Sequence, residues 1–251
     1  MKYTHTAQSD IADACDGQAL GGFHVHSGTN RASVQEFLEI SARAISFARA
    51  FSRYTDADVE WIDFGGGFAD SGVAPLMSTA WNPPEIEQFV REASSLIRDW
   101  GGRAPWLIFE PGRALVGPCV DLYSRVETVK KVGGVQVATL DAGINTLPFA
   151  RAFAYPVDLC DEASGVPLET VLCGPLCMSD DILRHDAMLP PLGKGALLRI
   201  RGVGAYNVSM SFDFIRPRAA IYIAQQGHLT KTRSMFSGCD KNALDSATPH
   251  K

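Results

Sequence analysis

The chain has 251 residues, 46% of them hydrophobic, with a formal net charge of −5 and a sequence pI near 5.7. It is long enough to bury a core in one or two domains, and its scattered Lys and Arg offer no basic face for nucleic acid. No apolar run approaches the roughly 18 residues of a membrane span, and the polar start MKYTHTAQSD lacks a basic-then-apolar leader, so the expected compartment is the cytoplasm.

The first apolar run, ALGGFHVHSG, leads into SVQEFLEISARAISFARAF. There Val34, Phe37, Leu38, Ile40, Ile45 and Phe47 recur at helical spacing behind an N-cap at Ser33. A second run, VEWIDFGGGF, precedes PPEIEQFVREASSLIRDW, with prolines at the helix start and a Gly-Gly pair after its end. The third, PWLIFEPGRAL, closes a series of three β-then-α units.

From about Val116 the texture changes to short β-type runs separated by turns: LYSRVETVKKVGG, VQVATLDAGI, LETVLCGPLC, ALLRIRGVGAY and RAAIYIA. The expected class is therefore α/β plus all-β, with an α/β segment over 1–115, an antiparallel β domain over 116–237 and a flexible tail over 238–251. An open three-strand segment leaves an unpaired edge and uncovered apolar faces.

Six cysteines form no CxxC pair and match no histidine spacing, so no zinc site is expected. Cys173 and Cys177 read equally as one buried and one loop thiol. His24 at a strand end is commonly a packed loop residue. Gly65, Gly66 and Gly67 suit a turn or an anion cradle, where backbone N–H groups approach a phosphate unobstructed by Cβ. Glu110 and Arg113 in EPGR suit a surface ion pair or a site.

Taken in order, GGFHVHSG, WIDFGGGF, FEPGRAL, CGPLCMSDD and GVGAY resemble the second half of the ornithine/diaminopimelate decarboxylase family. These are fold-type III pyridoxal 5'-phosphate (PLP) enzymes built on an alanine-racemase-like (β/α)8 barrel. The resemblance implies the last three βα units of that barrel followed by the C-terminal β domain. It also implies PLP as cofactor, with His24 stacked on its ring, Ser27, Gly65, Gly66, Gly67, Arg113 and Tyr206 at its phosphate, and Glu110 at the pyridine nitrogen. A carboxylate there keeps the ring protonated as an electron sink, which suits decarboxylation better than racemisation. Cys177 matches a cysteine that reaches across a dimer interface to protonate Cα, and Asp141 matches a position lining the substrate pocket. His26 stands where relatives often carry glycine and receives no role.

The chain departs from the family pattern in two respects. Met178 replaces an acidic residue that binds the distal amine of the substrate, and Phe149 and Phe153 stand at an arginine and a tyrosine position of DAGxNxLxRPxxY. A buried ammonium or carboxylate would find no partner there, so ornithine, lysine and diaminopimelate are expected to be poor substrates. An amino acid with a neutral, apolar or carrier-linked side chain is expected instead, with Arg151 as a remaining charge. The family's Schiff-base lysine ends the first barrel strand, and no segment before His24 has that pattern; Lys130, Lys131 and Lys194 lie in other contexts. About five barrel units are missing. The expected arrangement is a split enzyme, a hetero-oligomer with two-fold symmetry in which a separate polypeptide brings the lysine and the other strands. The alternatives are a non-catalytic homologue that regulates a partner, and a piece of a longer enzyme.

Overall fold

The computed structural model describes residues 20–78, 80–162 and 164–232, together with Ile11. The tail expected over 238–251 lies outside the described residues. Two compact units divide the chain, Met1–Val120 and Asp121–Lys251.

The first unit carries three short parallel strands, β1 (Gly22–His24), β2 (Trp61–Asp63) and β3 (Trp106–Ile108), in that spatial order. Helix α1 (Val34–Thr55) starts where Ser33 Oγ accepts the Glu36 amide at 3.2 Å, as its capping pattern predicts. Its buried face, Phe37, Ser41, Ile45, Ala48 and Phe51, keeps the helical period. Helix α2 (Ile86–Ser95) ends five residues before the sequence pattern suggests. The Ser94 and Ser95 hydroxyls donate to the Val90 and Glu92 carbonyls, a local competition that weakens helix ends.

An aromatic cluster fills the space between helices and sheet. Phe37 sits edge-on to Phe64, Phe68 and Phe89, with ring centroids 5.6, 5.8 and 5.4 Å away. Contacts of this kind add roughly 0.5–1.5 kcal/mol each beyond burial. The sheet itself is open. Trp106 on the edge strand β3 is 72% exposed, and among the described residues no fourth strand pairs with it.

In the second unit a six-stranded sheet is built from β4 (Leu122–Val132), β5 (Val135–Leu140), β6 (Val157–Leu159), β7 (Leu168–Cys173), β8 (Ile182–Leu189) and β9 (Leu197–Ile200). The spatial order is β8-β7-β5-β4-β9-β6. Gly133 and Gly134, both at positive φ, make the two-residue hairpin between β4 and β5. The expectation of a purely antiparallel domain needs correction, because β5 and β7 run parallel, with Val137 opposite Val171. The long return through β6 at the far edge brings the chain back in the same direction. A separate exposed hairpin comes next, β10 (Tyr222–Gln225) and β11 (His228–Lys231). No helix among the described residues is long and apolar enough to cross a membrane.

Candidate functional site

In the first unit, β1, β2 and β3 end level with one another, so the loops leaving the three strands meet at the carboxyl edge of the sheet, where parallel α/β sheets place their sites. His24 closes β1 and Asp63 closes β2, while Glu110 lies two residues past β3. The connecting loops are laced together, with the Val25 amide donating to Asp63 O at 2.7 Å and the Glu110 amide to Gly65 O at 3.0 Å.

Asp63 is the organising group. It is buried, its Oδ2 lies 3.0 Å from His24 Nδ1, and its Oδ1 accepts the Gly65 amide at 2.8 Å. The imidazole is thus fixed at one nitrogen while its face stays exposed. The donor atoms of His24, Asp63 and Glu110 all lie within 4.8 Å of one another. Such a group has metal-ligand chemistry, but both Asp63 oxygens are already engaged.

The triglycine turn is shaped by its neighbours. A Cβ on Gly66 would strike the Glu110 carbonyl, one on Gly67 would strike the Gly28 carbonyl, and one on Gly65 would crowd His24 and His26. Gly65 and Gly67 also adopt positive φ. Ser27 is half-buried in the facing loop. Arg113 is buried at the start of a single helical turn, Arg113–Val116, just after Glu110.

In the second unit the Cys173–Asp181 loop is pinned by Asp181. This carboxylate is buried, and it accepts the Ile144 amide at 2.8 Å and the Leu176 amide at 2.7 Å. It thereby ties that loop to Asp141–Asn145. A Cβ at Gly143 or Gly174 would collide with it. Cys177 stands exposed on the loop so fixed, whereas burial, with Asp181 nearby, pushes the Cys173 thiol up from its ordinary value. Cys177 is therefore the more accessible of the two thiols. The four described cysteines are free.

Tyr206 has φ +66°, a conformation that costs a bulky residue about 1–3 kcal/mol and recurs at functional sites. It stacks on Phe149 at 5.3 Å. The adjacent Asn207 is buried, donating to Tyr155 OH and the Val203 carbonyl and accepting the Phe149 amide. Phe153 is buried against Phe149 and Tyr155. Asp141 accepts from Ser124 Oγ and from the Arg125 amide. Met178 is half-buried, and Arg151 pairs with Asp180 at 2.6 Å on the surface.

The structure thus gathers His24, Gly65, Gly66, Gly67 and Glu110 at one sheet edge in the first unit. In the second it sets exposed Cys177 on a loop anchored by Asp181 and exposed Tyr206 beside the buried Asn207. Asp63, Asp181 and Asn207 receive no role from the sequence; Asp63 alone carries a signal there, as an acidic residue closing an apolar run before the glycines.

The family described as "Pyridoxal-dependent decarboxylase, C-terminal sheet domain" matches residues 14–204. A diaminopimelate decarboxylase of Methanothermobacter thermautotrophicus is 30% identical over 226 residues, which is 86% of this chain and 51% of that protein. One from Archaeoglobus fulgidus is 29% identical over 84% of this chain and 50% of its own length. Among solved structures, the protein AQ1208 of Aquifex aeolicus superposes with TM-score 0.78 at 21% identity, over 91% of this chain and 55% of its own. The diaminopimelate decarboxylase of M. jannaschii gives 0.76 at 23% identity, over 90% and 52%.

The chain spans about half the length of the curated relatives it matches. The family uses PLP, and the residues present fit that group: a braced, open-faced imidazole, a carboxylate beside it and a buried arginine close by. On its sequence, its fold and this donor set, the chain belongs to the pyridoxal-dependent decarboxylase family.

Proposed function

We propose that this chain contributes the cofactor-ring, phosphate and Cα-protonation groups of a PLP-dependent amino-acid decarboxylase. In this reading the cofactor lysine and the remaining barrel strands come from polypeptide outside these 251 residues, and the whole assembles as a two-fold hetero-oligomer. The observation that carries it is the meeting of His24, Asp63 and Glu110 within 4.8 Å at the carboxyl edge of the parallel strands. The open edge at Trp106 supports the further strands.

PLP, when bound, supplies an electron sink for the pair released as CO2 leaves. Glu110 holds a proton at the pyridine nitrogen. His24 backs the ring with its face, its orientation set by Asp63. Ser27, the Gly65–Gly67 backbone and Arg113 are the first unit's phosphate-binding groups, and Tyr206 is the second unit's. Cys177 then gives its proton to Cα. Around the substrate side chain, Met178, Phe149 and Phe153 offer no charge, and Arg151 is already paired with Asp180. The favoured substrate is an amino acid whose side chain ends without a cation.

The test is assembly with the polypeptide that bears the lysine, followed by an absorbance scan for lysine-bound PLP and CO2 release from a panel of amino acids. Colour and turnover only in the assembled protein are expected, with Cys177→Ala lowering kcat about a hundredfold as expected for a lost proton donor. Efficient diaminopimelate turnover overturns the substrate assignment. Turnover by this chain alone overturns the need for a complement. An assembly that binds no PLP points instead to a regulatory homologue.

A further inference from the structure

Arg31 makes none of the cofactor contacts proposed above, yet it brackets the triglycine turn. Its backbone amide donates to Gly67 O at 2.8 Å, and its guanidinium Nη2 donates to Phe64 O at 3.3 Å. Those two carbonyls lie on either side of Gly65 and Gly66. The guanidinium is held between the Phe37 and Phe68 rings, 5.2 and 5.3 Å from their centroids.

This is a costly way to brace a loop. Arg31 is buried, and its Nε and Nη1 have no hydrogen-bond partner among the described residues. A buried donor left unbonded costs about 1–3 kcal/mol. The two ring faces return only part of that. A methionine would fill the same slot between the phenylalanines without any such cost. Burial also pushes the guanidinium down from its ordinary value, but arginine starts so high that it stays charged at neutral pH. What the position gains from arginine is a positive charge behind a backbone turn, in a setting too apolar to screen it.

We infer that Arg31 is a positioning residue for the phosphate-binding turn, fixing the Gly65–Gly67 backbone and lending it a buried positive charge that selects a phosphate dianion. The inference rests on the PLP-site reading above. It separates two contributions that a brace alone would not: the shape of the turn, which serves any ligand of the site, and the charge, which serves only a phosphorylated one.

The experiment is titration of the assembled protein with pyridoxal 5'-phosphate and with pyridoxal, which lacks the phosphate. Wild type is compared with Arg31→Met, Arg31→Gln and Arg31→Lys. The neutral variants are expected to weaken pyridoxal 5'-phosphate binding roughly tenfold more than pyridoxal binding, the scale of one desolvated charge interaction, any loss common to both ligands being the share of the brace. Lysine keeps the charge and is expected to restore most of the phosphate preference. Should the Arg31→Met variant fail to fold, the glutamine and lysine variants still give the ratio. Equal losses for both ligands, or a lysine variant that falls with the neutral ones, reduce Arg31 to a structural brace and overturn the inference. A wild-type assembly that binds neither ligand overturns the site assignment itself, and the role of Arg31 with it.

Discussion

In the first unit three strands of three residues each leave Trp106 72% exposed, and cohesion comes from an apolar cluster of phenylalanines behind the sheet. In the second, six strands share one sheet, and its loops are tied down by buried polar groups, among them Asp181, Asn207 and Gln136. Gln136 donates to Thr170 Oγ1 and the Pro190 carbonyl and accepts the Leu192 amide, so all its polar atoms are satisfied. The contrast is between a piece of a layer and a complete sheet. An open three-stranded sheet gains further stability from strands that pair with its edges, whereas a sheet with anchored loops holds its loop side chains in place by itself.

If that contrast is right, damage in one unit should stay in that unit. The largest effect is expected from Phe37→Ala, which removes the ring at the centre of the aromatic cluster. Loss of a buried phenylalanine costs about 4 kcal/mol. In denaturant, the transition of the first unit should move to lower concentration or vanish while that of the second stays put. A single transition that shifts as a whole would show that the two units fold as one.

Asp181→Ala is expected to do the reverse, at about 3 kcal/mol, since it strands two buried amides, those of Ile144 and Leu176. Asp181→Asn retains one acceptor and should lose less. Because the same carboxylate fixes the loop of Cys177, the alanine variant should also lower kcat if the assembled protein works as proposed above, read as CO2 release. Unchanged melting of the second unit would mean that the loop finds other partners.

How far the sequence foretells these features depends on how local their causes are. The α1 face is legible at Phe37 and Ile45 but not at Ser41 and Ala48, whose burial their residue types do not announce, and the Ser33 cap depends on neighbouring residues and is legible. So is the hairpin at Gly133–Gly134. Strand β8 is not, because Arg184, His185 and Asp186 interrupt its apolar pattern where the register shifts. The parallel pairing of β5 with β7 has no local signal at all. Asp63 and Asp181 act on partners 39 and 37 residues away, so their importance appears only once the chain is folded. Motif order compensates for this at the level of the family, because EPGR and CGPLCMSDD are short runs that the sequence carries whole.

The smallest expected effect tests the first unit from its electrostatic side. Asp70 is buried, and its carboxyl packs where a Cβ on Gly117 would sit, beside the helical turn of Arg113. Burial raises its pKa above the ordinary 3.8; the Gly72 amide and Arg113 oppose that shift, and Glu85 adds to it. The folded unit therefore holds this proton more tightly than the unfolded chain does. Its contribution to stability is fully present below about pH 4 and is lost as pH rises through the folded value, leaving the ionised group a net cost at neutral pH. Asp70→Asn keeps an acceptor for the Gly72 amide, which now bonds Oδ1 at 2.8 Å, and removes the charge. Thermal melts from about pH 3.5 to about pH 7.5 should then show a flatter profile, with a slight gain at neutral pH and little change in acid. An asparagine variant that is less stable at neutral pH would mean that the attraction to Arg113 outweighs desolvation, and that the Asp70 carboxylate is a working part of the arginine's setting.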